Sequence, residues 1–237
     1  MEKRRRRKHL AHKRVLVVCH EHRAYLETTP GGSSTVAGLD RAVAEESAQI
    51  AEHDRCRTEG EAASARCERG RRTLHNGVKH VALVGSIVKP DNGEFPPLDA
   101  SAVKTDEELI ARVENVHRVA SAHAELFVEK GVQPGFLDGL WNELAAFKKA
   151  KEAVTLVGKR YTEANERFDH ALDDGDVAVG ILENILSTSP NAPVGALTAL
   201  QHAKLIGPRV EDDDESAPST PNQAPPAAEP PAHDKVA

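Results

Sequence analysis

The stretch from Leu137 to Leu186 limits what this chain can fold into more than any other. Apolar residues recur there in steps of three and four: Leu137, Leu140, Leu144, Phe147, Val154, Tyr161, Phe168, Leu172, Val179, Leu182 and Leu186. Lys151, Gly158, Asn165 and Gly175 fill the remaining slots in phase. Such a seam predicts one helix of about fifty residues, roughly 75 Å long at ~1.5 Å per residue. A stripe of that length needs a partner of similar length to bury against, and the segment from Val36 to Val88 is the one candidate. The predicted fold class is therefore all-α. It is an elongated antiparallel helical bundle or coiled coil with two long helices, a medium helix and short terminal helices.

Charge divides the chain into three parts. Residues 1–14 carry a net +7, residues 15–210 a net −7 and residues 211–237 a net −6. We read residues 1–14 as a basic disordered arm, 15–207 as the helical bundle domain, and 208–237 as a disordered tail of Pro, Ala and acids that cannot bury a core. Clustered Lys3, Arg4, Arg5, Arg6, Arg7 and Lys8 make the arm a candidate polyanion contact, since such clusters displace counterions from phosphates. The competing reading is a frayed terminus that does nothing specific, or that rests on the acidic body.

Within the bundle domain, Ala11, Val15, Val18, His22 and Leu26 share helical spacing and predict a short helix, with a strand over Val15–Val18 as the lesser reading. Pro30-Gly31-Gly32 breaks the chain, and Ser33, Ser34 and Thr35 are candidate caps for the first long helix. Small residues (Cys56, Gly60, Ala63, Cys67, Gly70) occupy the middle of its seam. They predict close approach of two helices, against an alternative of a soft, bending segment. Residues 89–104 form a Pro-containing loop with Phe95 and Leu98 as anchors. Thr105 to Glu108 has the form of a capping box, opening a helix that runs to Gly131. Pro134 is expected in the first turn of the next helix, and Phe127, Phe136, Trp141 and Phe147 are expected to thicken the core at this corner. The register from Leu172 to Val179 favours a helix that continues through Asp173-Asp174-Gly175-Asp176. A last short helix should place Val194, Leu197, Leu200 and Leu205 on the bundle.

Several groups have the residue types of a site. Cys19, His20 and His22 cannot converge on one ion from a helix, and no second ligand pair lies at zinc spacing. Glu114 and His117 form an ExxH pair, but a di-iron bundle needs two such pairs. His123 reads as a core histidine, and the Asp173–Asp176 run lacks EF-hand spacing. No phosphate loop, dinucleotide fingerprint, nucleophile elbow, HExxH or paired CxxC occurs. No catalytic, cofactor-binding or metal-ligating residue is therefore predicted. Cys19, Cys56 and Cys67 are an odd set without metal spacing, so a reducing cytoplasm is the expected location. No apolar run approaches the ~20 residues of a membrane span, and Val15 to Cys19 is too short for a signal-peptide core.

Between Phe127 and Ala203, the run FVEKGVQPGFLDGLWNELAAF, the long Ala- and charge-rich helix after it, then ILENIL and ALTALQHA resemble uncharacterised bacterial α-helical bundle proteins. The resemblance implies a bacterial antiparallel bundle and brings no activity or site residue with it. The expected function is a non-enzymatic helical interaction or scaffold protein, joined to a protein partner or to itself through the seam. The alternative is a nucleic-acid-associated protein that contacts phosphates through the basic arm.

Overall fold

Two helices of 54 and 53 residues form the axis of this protein. A computed structural model describes residues 3–88, 98 and 103–205, and among these every regular element is helical. The order is α1 (Lys3–Glu21), α2 (Arg23–Thr28), α3 (Gly32–Gly85), α4 (Asp106–Ser121), α5 (Ala124–Glu129), α6 (Phe136–Thr188) and α7 (Ala196–Lys204). At ~1.5 Å per residue, α3 and α6 each run about 80 Å. They pair antiparallel: Gly60 meets Val157, Gly70 meets Phe147 and Gly77 meets Leu140.

Those glycines account for the small-residue stretch of α3. A Cβ on Gly70 would lie 3.2 Å from Phe147, and one on Gly77 would lie 2.5 Å from Leu140. The missing side chains let α6 press its large residues onto the α3 backbone, as the close-approach reading expected. Arg160 braces the middle of the pair. Its Nε and Nη2 donate to Glu52 at 3.0 and 2.6 Å, and its Nη1 donates to Glu59 at 2.6 Å.

Apolar packing gathers at the two ends. One cluster joins Leu74, Val78 and Val81 of α3 to Val113 and Val116 of α4, Phe127 of α5, and Leu140, Leu144 and Phe147 of α6. Leu98 is half-buried against it, as an anchor should be, whereas Phe95 lies outside the described residues. The second cluster joins Val15 and Cys19 of α1, Leu39 and Val43 of α3, Val179 and Leu182 of α6, and Leu200 of α7.

The expected helix through Asp173–Asp176 is continuous, and the capping box is present: Glu108 N–H donates to Thr105 Oγ1 at 3.2 Å, and Thr105 N–H donates to Glu108 Oε2 at 3.3 Å. Other expectations are corrected. The seam of α6 changes phase in its middle, where Ala150, Val157 and Ala164 are buried while Val154 is half-buried and Tyr161 is 37% exposed. A straight helix drifts against a seven-residue repeat, and Lys151 and Gly158 offer the middle slots nothing apolar to bury. Residues 3–14 are not a disordered arm but the first turns of α1. The helix after Thr105 is interrupted at Ala122–His123, and Pro134 precedes α6 rather than lying inside it. Trp141 stays 43% exposed, stacked on His117 of α4 at 4.6 Å and outside the core cluster. On α7, Ala196, Leu200 and Ala203 are buried, whereas Val194 precedes the helix and Leu205 is its C-cap, and both are exposed. The proposed tail, 208–237, lies outside the described residues.

The α3 start shows why the expected hydroxyl caps are not used. Gly31 caps the helix at φ 78°, a conformation that L side chains rarely adopt, and Ser34 and Thr35 donate their hydroxyls to its carbonyl instead. A Cβ on Gly32 would sit 2.2 Å from the Leu26 carbonyl oxygen, a backbone atom fixed by α2. Gly180, by contrast, is exposed with open space around it. Gly32→Ala should therefore lower the unfolding free energy by about 1–3 kcal/mol through overpacking. Gly180→Ala should raise it by about 0.5–1 kcal/mol through helix propensity. Urea denaturation of the two variants checks both signs.

Candidate functional site

Three helices bring charge into the interior at one level of the bundle. On α1, His9 and His12 are one helical turn apart and face the core beside Ala11 and Val15. Opposite them on α3, Glu46 takes a seam position between Val43 and Gln49, and no part of it reaches solvent. From α6 come Gly175 and Asp176, the end of the acidic run.

Glu46 sits between the two histidines. His9 Nδ1 lies 2.6 Å from Glu46 Oε2, and His12 Nδ1 lies 2.7 Å from Glu46 Oε1. A carboxylate can only accept, so both ring nitrogens carry protons here. His12 also places Nε2 3.0 Å from Asp176 Oδ1, and Lys8 Nζ donates to Asp176 Oδ2 at 2.6 Å. Because His12 has a carboxylate oxygen on each ring nitrogen, only its doubly protonated cation satisfies both contacts. Two anions, Glu46 and Asp176, then face two cations, Lys8 and His12.

Electrostatics agree with this geometry. Burial alone would lower the His12 pKa, but hydrogen bonds and charge from Glu46 and Asp176 outweigh it and hold His12 above its ordinary range. Burial would likewise raise Glu46, yet His12 and His9 hold it below the usual carboxylate range. Asp176 is drawn down in the same way by Lys8 and His12, against its partial burial. Gly175 makes the cluster sterically feasible. A Cβ there would come within 2.5 Å of His12 Nδ1 and 3.0 Å of Glu46 Oε1.

The basic residues anticipated as a polyanion contact flank this cluster. Arg5 binds Asp169, Arg6 binds Asp54 at 3.3 Å, and Lys8 binds Asp176. Lys3 and Arg4 are exposed on α1, and Arg7 is half-buried. Arg5, Arg6 and Lys8 thus rest on the acidic body, the competing reading of the arm.

The other candidate groups lie apart. Glu114 pairs with Lys148 at 2.7 Å while His117 stacks on Trp141. His123 is half-buried at the start of α5. Cys19, Cys56 and Cys67 are free thiols, and burial pushes Cys19 up to about 11, which suppresses the reactive thiolate. Among the described residues no group of three or more His, Cys, Asp or Glu is placed to hold a metal ion.

Between α3 and α6, lined by residues of these two helices, runs a groove of about 630 Å³. Gly38, Ala42 and Glu45 line it from α3, and Ala171, Asp174 and Ile181 line it from α6. Its floor is made of small residues and its rim carries charges of both signs.

His9, His12 and Glu46 were missed by sequence reasoning, although a signal exists. Glu46, Gln49 and His53 continue the three-and-four spacing of Leu39 and Val43, so polar residues occupy seam slots of α3. Comparison with protein-family models, curated proteins and solved structures finds no match to this chain.

Removing the shared acceptor should be costly, because it strands a buried charge. Glu46→Ala should lower the unfolding free energy by about 3–5 kcal/mol, the range for breaking one side of a buried ion pair. Gly175→Ala should lower it by about 1–3 kcal/mol by overpacking. In a double mutant the two losses should be strongly non-additive, since both act on His12. Chemical denaturation of the single and double variants measures this.

Proposed function

We propose that this protein is a non-enzymatic helical interaction protein that engages a protein partner, or a second copy of itself, through the α3–α6 pair. One observation carries the reading. The shorter helices pack on parts of a pair about 80 Å long by helical rise, and the pair retains a groove lined by its own residues and floored by Gly38, Ala42 and Ala171. Small residues flanked by Arg41, Glu45, Arg167 and Asp174 suit a helix that lies close to the pair and pairs charges along its edges. Val177 and Ile181 stand at that rim with 62% and 45% of their surface exposed, apolar area that an incoming helix would cover.

We place the protein in the cytoplasm, a setting supported by its three unpaired cysteines. No helix among the described residues is long and apolar enough to cross a membrane. A phosphate-binding role for the basic cluster has less support, because Arg5, Arg6 and Lys8 already pair with carboxylates of α3 and α6.

Sedimentation velocity over a concentration series, with co-purification of bound proteins, tests the reading. The unmodified protein should self-associate or retain a partner. Val177→Glu with Ile181→Glu should abolish that association while helicity measured by circular dichroism stays unchanged. A monomer at every concentration that retains nothing would count decisively against it.

A further inference from the structure

The two halves of α1 are held by different forces. From Val15 onward the helix is anchored by apolar contact: Val15 and Cys19 belong to the core cluster with Leu39, Leu182 and Leu200, and Leu16 and Val18 pack against it. Before Val15 no residue belongs to that cluster, and Leu10 is half exposed. Of residues 3–12, only His9, Ala11 and His12 are buried. Arg5, Arg6 and Lys8 make ion pairs with at least one well-exposed partner, the kind that contributes little. Attachment of this half therefore rests on the histidine–carboxylate contacts.

We propose that residues 3–12 of α1 form a releasable arm and that His12 is its catch, the doubly protonated ring tying Glu46 of α3 to Asp176 of α6, so that loss of one ring proton to solvent frees the arm. With the proton in place, Lys8 and His12 balance Glu46 and Asp176. Without it, one ring nitrogen presents a lone pair to a carboxylate oxygen about 3 Å away, and the interior keeps an unbalanced negative charge. His9, on the same helix, also donates to Glu46 and leaves that carboxylate committed to α1. Among the described residues, the titratable neighbours on the elements packed here are already engaged. On α3, His53 stacks on Tyr161 at 4.5 Å, and on α6 Asp169 is taken by Arg5. Lys204 of α7, the helix packed on the anchored half of α1, pairs with Glu183 at 2.6 Å.

The direction follows from the shifts at the two partners. His12 is raised above its ordinary 6.5, so its contribution is complete below that value and disappears as pH rises through the raised one. Glu46 is lowered from 4.5, so its contribution is complete above that value and is lost only as pH falls through the lowered one. The arm is thus closed in weak acid and opens toward alkaline pH, while the rest of α1 stays in place.

Hydrogen-exchange mass spectrometry on the full chain tests this, with protection corrected for the intrinsic pH dependence of exchange. Between about pH 5.5 and about pH 9, protection over residues 5–12 should fall by up to ~tenfold per pH unit above the His12 pKa, the limit for one linked proton. Protection over 15–21 should hold steady. His12→Gln, which cannot take up the second proton, should give a flat profile. Asp176→Asn, at a half-exposed position, should move the opening to lower pH. Constant protection in the unmodified protein, or an unchanged pH profile in either variant, overturns the proposal. If His12→Gln does not fold, Asp176→Asn and an NMR titration of the His12 ring decide, and a ring that titrates below 6.5 overturns it.

Discussion

Close contact between α3 and α6 is the constraint on which the rest depends. A pair of helices this long must keep its facing surfaces in register over more than fifty residues, and any bulky side chain out of phase would push the axes apart. The chain meets this by placing glycine on one helix opposite a large residue on the other, as at Gly70 with Phe147 and Gly77 with Leu140. Helix propensity is lost at each glycine, and contact area across the pair is the return. Alternative registers would set Phe147 or Leu140 against residues that have a Cβ and are disfavoured on that ground.

Buried polar groups rarely add net stability over well-packed apolar ones, and their best-attested role is to select one arrangement among several. The Glu46 cluster fits that role. Val15, Leu39 and Leu182 could exchange apolar neighbours at modest cost, whereas Glu46 finds two donors only when α1 sits at one height. Gly175 enforces the same height from α6, since a side chain there would occupy the space of the His12 ring. The three helices are therefore located by a charge contact as well as by oily surface.

Between the two apolar ends the interior is thin. Cys56, Ala63, Ala150, Val157 and Ala164 are the buried apolar residues of its central part, Phe168 and Leu172 follow toward the α1 end, and Arg160 supplies the cross-link. Fewer buried methylenes per turn mean lower local stability, so opening fluctuations of the pair should concentrate in this middle section rather than at the clusters around Leu144 or Leu182.

How much of this was legible in one dimension depends on the kind of force involved. Local and periodic features were: the two long helices, the Thr105 capping box, and the continuity of α6 through Asp173–Asp176, which follows from Leu172 and Val179 sharing a face across it. Backbone propensity and apolar spacing act between near neighbours, and the sequence displays those directly. The phase change at Ala150, Val157 and Ala164, the docking of the basic residues, and the union of His9, His12, Glu46 and Asp176 were decided only by the tertiary structure. A charge has no intrinsic partner. His12 and Asp176 stand 164 positions apart, and which carboxylate a ring nitrogen meets depends on how two long helices align and where a third comes to rest on them. The sequence by itself thus determined the rods and their oily faces, while the third dimension decided which charges are buried and what they hold.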